Sequence, residues 1–283
     1  MTTLDGKVVL LTGATDGMGR ALAADLARAG ATVLVHGRDP GRIAATAVEI
    51  AEAAQTASAA VAGKASRPGV RAYQADFASL AEVRALAEQV TAAEPRLDVL
   101  VNNAGIGITQ PGDGARQESA DGIELRFAVN YLAGYALSRL LLPLLVASAP
   151  SRIVNVASIG QQPIDFRDIQ LTEGYDGMRA YRQSKLAQVM NAFDLAEELS
   201  GTGVTVNALH PATFMPTKVS PAPPASTIAQ GVAATFRLIA APSEQTGTGC
   251  FFNGLEEGRA NDQAYDGAAR GRLREISRQL TGL

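Results

Sequence analysis

The sequence lacks residues on which several kinds of functional site depend. Its 283 residues include no tryptophan, one cysteine (Cys250) and two histidines (His36 and His210). A single cysteine excludes an internal disulfide framework and fits a reducing compartment, so we expect a cytoplasmic protein. Two histidines make a histidine-based triad or a multi-histidine metal site implausible, and we predict no metal site.

Charge and long hydrophobic runs are also scarce. The net charge is -3 and no basic stripe interleaved with aromatic residues is present, so no nucleic-acid partner is expected. The first residues carry no basic region followed by a long apolar run, so no signal peptide is expected. The most apolar later stretch, Leu140 to Ala147, contains Pro143. It is too short to span a bilayer, and we expect no membrane partner.

Short apolar runs that alternate with helical patterns fill most of the chain. Runs rich in valine and leucine, without polar alternation, predict strands buried on both faces, as in a parallel sheet. Such strands are predicted at 7–11, 31–36, 70–74, 97–101, 152–156, 204–209 and 249–252. We therefore predict one doubly wound α/β domain over 1–283 with a mostly parallel seven-stranded sheet, and substrate loops at 106–120, 159–177 and 211–225.

A glycine-rich loop joins the first predicted strand to a helical pattern that starts at Arg20. The loop reads Thr12-Gly-Ala-Thr-Asp-Gly-Met-Gly19. Glycines let the backbone approach a pyrophosphate, and the helix N-terminus offers unpaired N–H groups and a favourable dipole. We therefore assign the following loop residues to a dinucleotide site: Gly13, Thr15, Asp16, Gly17, Met18 and Gly19.

Arg38 follows the second strand, where a dinucleotide fold meets the adenosine ribose. An acidic residue there would take the 2′-hydroxyl of NAD, whereas an arginine suits a 2′-phosphate by charge and fork geometry. We therefore predict NADP, with NAD the less favoured cofactor. The alternative is that Arg38 is a solvated turn residue, and the nearby Asp39 and Asp16 weigh against a phosphate.

Small and polar residues follow the third and fourth strands. Asp76, beside Phe77, can face an adenine amino group or cap the helix that starts near Leu80. Asn102-Asn-Ala-Gly105 permits close backbone contact with a cofactor. The predicted cofactor contacts here are Asp76, Phe77, Asn103, Ala104 and Gly105.

Tyr181 and Lys185 lie four residues apart on a predicted helix, about one turn along the same face. An adjacent ammonium favours the phenolate and lowers the phenol pKa from roughly 10. Such a phenol can exchange a proton with an alcohol or carbonyl oxygen near neutral pH. The pair also fits an ordinary helix with an exposed lysine. Tyr175 competes as an acid by residue type, but it has no lysine one turn away.

The motifs TGATDGMG, NNAG and YRQSK, in this order, resemble the GxxxGxG branch of the short-chain dehydrogenase/reductase family. The later stretches are similar to its retinol-dehydrogenase-like group, and the resemblance covers nearly the whole chain. It implies a Rossmann fold in which Tyr181 exchanges the proton and Ser158 holds the reacting oxygen. It further implies that Lys185 bonds the ribose and that Asn130 holds a water beside it.

The chain departs from these relatives at Pro211-Ala212, where they commonly have Pro-Gly followed by a threonine that meets the nicotinamide carboxamide. We still predict that Pro211 contacts the cofactor. Alanine tolerates a positive φ poorly, so the sequence does not determine which backbone groups contact the nicotinamide here. Either Thr213 or Thr217 could be the threonine that meets the carboxamide. We interpret 211–225 as a substrate lid, with a plain loop as the alternative.

These features predict an NADP-dependent oxidoreductase that interconverts a secondary alcohol and a carbonyl in a small-molecule substrate. A helical pattern over 122–147 resembles the helix that many family members use to pair subunits, so we expect a homodimer or homotetramer. One alternative is an NADP(H)-binding regulator without useful turnover, which the Ala212 segment keeps open. Another is an epimerase or dehydratase on the same scaffold, which the glycine spacing disfavours.

Overall fold

The computed structural model describes residues 4–59, 69–109, 114–220 and 222–283. Its strands form one sheet in the order β3-β2-β1-β4-β5-β6-β7-β8, in which only the β7–β8 pair is antiparallel. The strands are β1 (Val8–Leu11), β2 (Thr32–Gly37), β3 (Val70–Gln74), β4 (Val99–Asn102), β5 (Ser151–Val156), β6 (Val204–His210), β7 (Phe251–Asn253) and β8 (Glu256–Gly258). The order reverses between β1 and β4, which in open α/β sheets is where a crevice for a ligand forms.

Helices cover both faces of the sheet, which explains why the central strands are apolar throughout. In β1, Val8 and Leu10 face one helical layer and Val9 and Leu11 face the other. The helices are α1 (Gly17–Arg28), α2 (Pro40–Ala59), α3 (Leu80–Ala93), α4 (Leu125–Ala147), α5 (Gly177–Glu198), α6 (Ile228–Ala240), α7 (Ser243–Thr246) and α8 (Gly267–Thr281). Helices α1, α2 and α6 form one layer, and α3, α4, α5 and α8 form the other.

The prediction of a doubly wound, mostly parallel sheet is confirmed, but the sheet has eight strands rather than seven. The additional strand, β8, turns back from β7 at Gly254 (φ +64°) and pairs with it antiparallel. Its residues, Glu-Glu-Gly, are exposed or half-buried and have low strand propensity. Hydrophobic pattern therefore gave no signal for it, although the Asn253-Gly254 pair is typical of a hairpin turn.

Helix α4 lies where the helical pattern over 122–147 predicts it, but its apolar part is longer than expected and it contains a π-helical turn. It is continuous over Leu125–Ala147, so it is long and apolar enough by length and composition to cross a membrane, unlike the shorter 140–147 stretch. Its apolar window is 67% buried inside the protein, as in a core helix. Residues Ala128–Leu132 form a π-helical turn. Such turns are uncommon and often occur at functional sites.

Helix α8 packs against α5 and completes the core on that side. Leu273 and Ser277 of α8 are buried, and the Tyr131 and Ser277 hydroxyls are hydrogen-bonded at 2.7 Å. Arg274 donates to the buried Asp194 of α5 at 2.6 Å. As a result, every α5 residue from Gln183 to Ala196 is buried.

Candidate active site

The carboxyl ends of β1, β4 and β5 are held together by a network of polar side chains. Asn102 donates to Ser138 and to Asn155 of the next strand, each at 3.0 Å. Asn103 donates to the carbonyls of Thr12 and Gly13. The two asparagines therefore join the neighbouring strands at the edge where parallel strands place ligands.

Two glycines of the loop are required because the backbone segments lie too close for a side chain. A Cβ on Gly13 would lie 2.8 Å from the Ala104 Cα, and one on Gly19 would lie 2.2 Å from the Gly13 carbonyl oxygen. These glycines therefore let the loop pack onto the NNAG segment and the start of α1. The Gly13 N–H also donates to Nδ1 of His36 at 3.2 Å. Burial lowers the pKa of His36 to about 4, so this imidazole is neutral and can accept.

The loop that caps α1 carries an ionised carboxylate held by two cations. Asp16 accepts from the Gly17 N–H at 2.9 Å, and its other oxygen lies 2.8 Å from both Arg42 Nη2 and Lys218 Nζ. The Lys218 bond is the main reason that the pKa of Asp16 falls to about 2. The two cations offset the negative charge that weighs against a phosphate near Arg38.

Arg38 is exposed immediately after β2, four residues before Arg42. Asp39 accepts from the Arg42 N–H at 2.8 Å, and therefore serves the first turn of α2. Arg42 also donates to the Thr15 carbonyl at 2.9 Å. Sequence reasoning missed Arg42 and Lys218, because their relation to Asp16 arises only in the folded chain.

A cavity of about 430 Å³ opens between the glycine loop and the 215–224 segment. It is lined at one side by Asp16 and Gly17 and at the other by Met215 to Lys218. A Cβ on Gly17 would lie 3.1 Å from the Thr217 methyl group, whereas Thr213 is hydrogen-bonded to His210 at 3.0 Å. The volume is in the range of small-molecule and cofactor pockets. A groove with glycines, a helix N-terminus and nearby cations fits a dinucleotide phosphate.

The remaining predicted cofactor residues stay predictions as cofactor contacts, and the structure shows what three of their side chains do. Ser79, rather than Asp76, caps α3, and Asp76 accepts from the Ala78 N–H within the turn. The Phe77 ring stacks on His36, with centroids 4.5 Å apart. Met18 is buried and its sulfur lies 3.9 Å from the Thr235 hydroxyl. Phe77 and Met18 therefore have core side chains, which leaves their backbone for a cofactor.

Ser158, Tyr181 and Lys185 meet at the end of β5. The Ser158 hydroxyl lies close enough to the Tyr181 phenol to lower its pKa, and the Lys185 ammonium lies 5.8 Å from the centre of the Tyr181 ring. The Ser158 Oγ also accepts from the Gly160 N–H at 3.0 Å. Lys185 donates to the Val156 carbonyl at 3.0 Å and to Gln188 Oε1 at 2.8 Å. A Cβ on Gly105 would lie 3.2 Å from Asn130 Oδ1 and 3.6 Å from this ammonium, so Asn130, rather than the ammonium, is the tight neighbour of this glycine.

The predicted lowering of the Tyr181 pKa does not occur in this arrangement. Burial raises the pKa of the phenol, and the nearby Ser158 hydroxyl only partly offsets this. Burial also lowers the pKa of Lys185 to about 7, so the amine is far more easily deprotonated than an ordinary lysine. The physical reason is that both groups lose contact with water, which disfavours the charged phenolate and the charged ammonium alike.

Asn130 lies in the π-helical turn of α4 and is buried. Its Oδ1 accepts from the Ile106 N–H at 2.7 Å, and its Nδ2 donates to the Ile106 carbonyl and to Ser184. Ser184 in turn donates to the Tyr181 carbonyl at 2.7 Å. The side chain therefore links the loop after β4 to the Tyr181 helix.

Tyr175 lies elsewhere, against Glu124 and Arg126. Burial and the Glu124 carboxylate raise its pKa, which makes it a poor proton donor.

In the segment that begins at Pro211-Ala212, the residue with a left-handed backbone is Phe214 (φ +46°), not Ala212. Alanine is therefore unstrained at the position where relatives commonly have glycine.

Comparisons with known proteins agree with this geometry. A model of the short chain dehydrogenase family matches residues 7–223. The chain belongs to the short-chain dehydrogenase family. It is 36% identical to human retinol dehydrogenase 14 over 99% of this chain and 88% of that protein. It is 41% identical to mouse retinol dehydrogenase 13, over 74% of this chain and 59% of that protein.

A solved structure of an uncharacterized protein from Mycobacterium paratuberculosis has a TM-score of 0.79 at 26% identity, and covers 100% of this chain and 96% of its own. The predicted membership of the retinol-dehydrogenase-like group is thus confirmed. This short-chain dehydrogenase is an NAD(P)-dependent oxidoreductase that acts on a small molecule.

Proposed function

We propose that the chain is an NADP-dependent oxidoreductase that interconverts a secondary alcohol and a carbonyl. The observation that carries the proposal is the grouping of Ser158, Tyr181 and Lys185 at the end of β5, at the edge of the sheet that also holds the glycine loop. A phenol beside a serine hydroxyl can deliver a proton to an oxygen that both groups contact.

Each residue then has a defined task. The bound nicotinamide supplies hydride transfer to or from the carbinol carbon. Ser158 holds the substrate oxygen and Tyr181 gives or takes its proton. Lys185 bonds the ribose and favours the phenolate when it is charged. The Asn130 side chain is already hydrogen-bonded to Ile106 and Ser184. A water in the proton path would therefore be hydrogen-bonded to the backbone of the π-helical turn.

The cofactor preference rests on charge at the adenosine end of the groove. Arg38 is exposed at the end of β2, and Arg42 and Lys218 neutralise Asp16 beside it. A 2′-phosphate is suited to such a cluster. We assign the carboxamide threonine to Thr217, since Thr213 is bonded to His210 and Thr217 adjoins Gly17.

Two further assignments concern the surroundings of the enzyme. We propose that the enzyme is cytoplasmic. We also propose that it forms a homodimer or homotetramer that pairs through the outer face of α4, because α5 is already covered by α8. Light scattering during size-exclusion chromatography tests the subunit number. A monomer at micromolar concentration would refute this part.

The decisive experiment is NADPH consumption with a panel of aldehydes and ketones. The panel includes all-trans-retinal because of the names of the relatives. Steady consumption is expected with at least one carbonyl, and the reverse reaction with the matching alcohol. Tight NADPH binding without consumption would instead favour a regulator. An epimerase or dehydratase would alter its substrate without net change in NADPH.

A further inference from the structure

Arg126 is the largest fully buried side chain described in this protein, with 0% exposure. It lies in the first turn of α4, on a helix that is otherwise apolar over most of its length. The nearest oxygen of Glu124, with which it forms an ion pair, is 3.9 Å away. A buried guanidinium must have its N–H groups hydrogen-bonded to offset the loss of water.

The guanidinium bonds to two separate segments of chain. Its Nε donates to the Gly107 carbonyl at 2.9 Å and its Nη2 donates to the Ile108 carbonyl. Its Nη1 donates to the Tyr175 hydroxyl at 2.6 Å. The carbonyls belong to the loop that follows β4, and Tyr175 lies just before α5. A planar fork can bridge such partners, which a single ammonium cannot do equally well.

Asn130 acts on the same loop from one turn further along α4. Residues four apart lie on one helix face, and Asn130 bonds both the N–H and the carbonyl of Ile106. Together, Arg126 and Asn130 bind three consecutive residues, Ile106 to Ile108. The loop after Gly105 is therefore fixed by side chains from α4 rather than by its own backbone.

The start of the Tyr181 helix is held against that loop. Gly177, the first residue of α5, has no room for a side chain, because a Cβ would lie 2.7 Å from the Ile108 carbonyl oxygen. Tyr175 donates to Glu124 Oε1 at 2.9 Å, while Glu124 Oε2 accepts from the Phe127 N–H. Arg126, Tyr175 and Glu124 thus connect α4, the loop and the N-terminus of α5.

We propose that Arg126 is a positioning residue that sets the substrate side of the active site by holding the 106–108 loop against the start of α5. This inference rests on the proposed function, since the loop is assigned to substrate. Within the described part of the chain, no hydrogen bond of Arg126 reaches the glycine loop or Tyr181, so its removal should disturb substrate use while cofactor binding persists.

The test compares four variants. Arg126→Met removes every hydrogen bond at similar length, Arg126→Lys keeps the charge, and Tyr175→Phe removes one hydroxyl from the network. Arg139→Met is the matched control, since Arg139 is largely buried and bonds Glu198 away from the site. Each variant is measured for kcat and KM with 4-nitrobenzaldehyde and NADPH, for NADPH affinity by fluorescence, and for hydrogen exchange by mass spectrometry.

Hydrogen exchange in peptides covering residues 104–109 tests the inference without relying on turnover. We expect it to accelerate about tenfold or more in Arg126→Met and measurably in Tyr175→Phe, with no change in Arg139→Met. We also expect kcat/KM to fall about tenfold in Tyr175→Phe, with partial recovery in Arg126→Lys relative to Arg126→Met. NADPH affinity should stay within about twofold in Tyr175→Phe.

Unchanged exchange at 104–109 in both Arg126→Met and Tyr175→Phe would overturn the inference. Equal losses of NADPH affinity and of kcat/KM would overturn it as well, because they indicate a general structural role. If Arg126→Met does not fold, Tyr175→Phe decides. If the unaltered chain reduces no carbonyl, the proposed function fails, and the exchange rates alone decide whether Arg126 holds the loop.

Discussion

The Lys185 ammonium lies 5.8 Å from the centre of the Tyr181 ring at the end of β5, where Lys185 is buried and Tyr181 is half-buried. The amine donates to one carbonyl and one amide oxygen and has no carboxylate among its hydrogen-bond partners. Burial therefore acts against both charged forms, raising the pKa of the phenol and lowering that of the amine. This arrangement suits proton exchange, but it lowers the stability of the folded protein because both groups lose water.

Replacing Tyr181 by phenylalanine should abolish turnover and leave NADPH binding nearly intact. The phenol is the group that exchanges the proton, and removing it leaves the glycine loop and Arg38 unchanged. We expect at least a hundredfold loss in kcat, in keeping with roughly 10²–10⁴-fold for a general acid. Steady-state kinetics and NADPH titration measure the two effects. Parallel loss of turnover and binding would mean that the tyrosine is structural.

Replacing Lys185 by methionine should stabilise the cofactor-free protein while removing activity. The folded pKa of about 7 lies below the ordinary value of 10.5, so the unfolded chain binds more protons between these values. The wild type is therefore penalised fully below about pH 7, and the penalty disappears as pH rises to about 10.5. Near pH 7 the variant should gain on the order of a few kcal/mol.

Denaturant unfolding of both proteins between pH 6.5 and 10 measures this gain. The difference in unfolding free energy between variant and wild type should shrink steadily with rising pH. Lys7→Met is a suitable control because its side chain is 37% exposed and paired with Asp98. A difference that is constant with pH would contradict the burial of a charged Lys185.

Local sequence order predicted much of the fold and of the site. Strand, glycine loop and helix follow each other directly around Gly13, and NNAG follows β4, so these signals lie within a few residues. The Tyr181 and Lys185 spacing is likewise local to one helix. The relation of Ser158 to Tyr181 was reached only through the family resemblance, because the two residues come from different elements.

The features that were missed depend on contacts between distant segments. Arg126 is a charged residue that a helical pattern would place toward solvent, and only the carbonyls of Gly107 and Ile108 explain its burial. The two cations on Asp16 come from α2 and from the 211–225 segment. Burial of Lys185, which reverses the expected pKa effect, depends on the packing around the whole of α5.

Replacing Arg38 by alanine should weaken NADPH binding far more than NADH binding. Only NADPH carries the 2′-phosphate that an exposed arginine at the end of β2 can meet. The loss should be roughly 1.5–3 kcal/mol if one charge-assisted bond is removed. Fluorescence titration with both cofactors measures the preference, with Arg28→Ala as control, because Arg28 is exposed and paired with Asp25 on α1. An unchanged preference would remove Arg38 from this role.

Replacing Lys218 by methionine should speed release of NADP from the groove. Lys218 joins the 211–225 segment to Asp16 of the glycine loop at 2.8 Å, and its side chain is 74% exposed. An exposed ion pair contributes about 0–1 kcal/mol, so the dissociation rate should rise by no more than about fivefold. Stopped-flow displacement of NADPH gives this rate directly. Asp16→Asn should have a smaller effect in the Lys218→Met background than in the wild type, because the Lys218 pair is already lost and only the Arg42 pair remains. Independent, additive effects would show that Lys218 acts on the cofactor itself and not through Asp16.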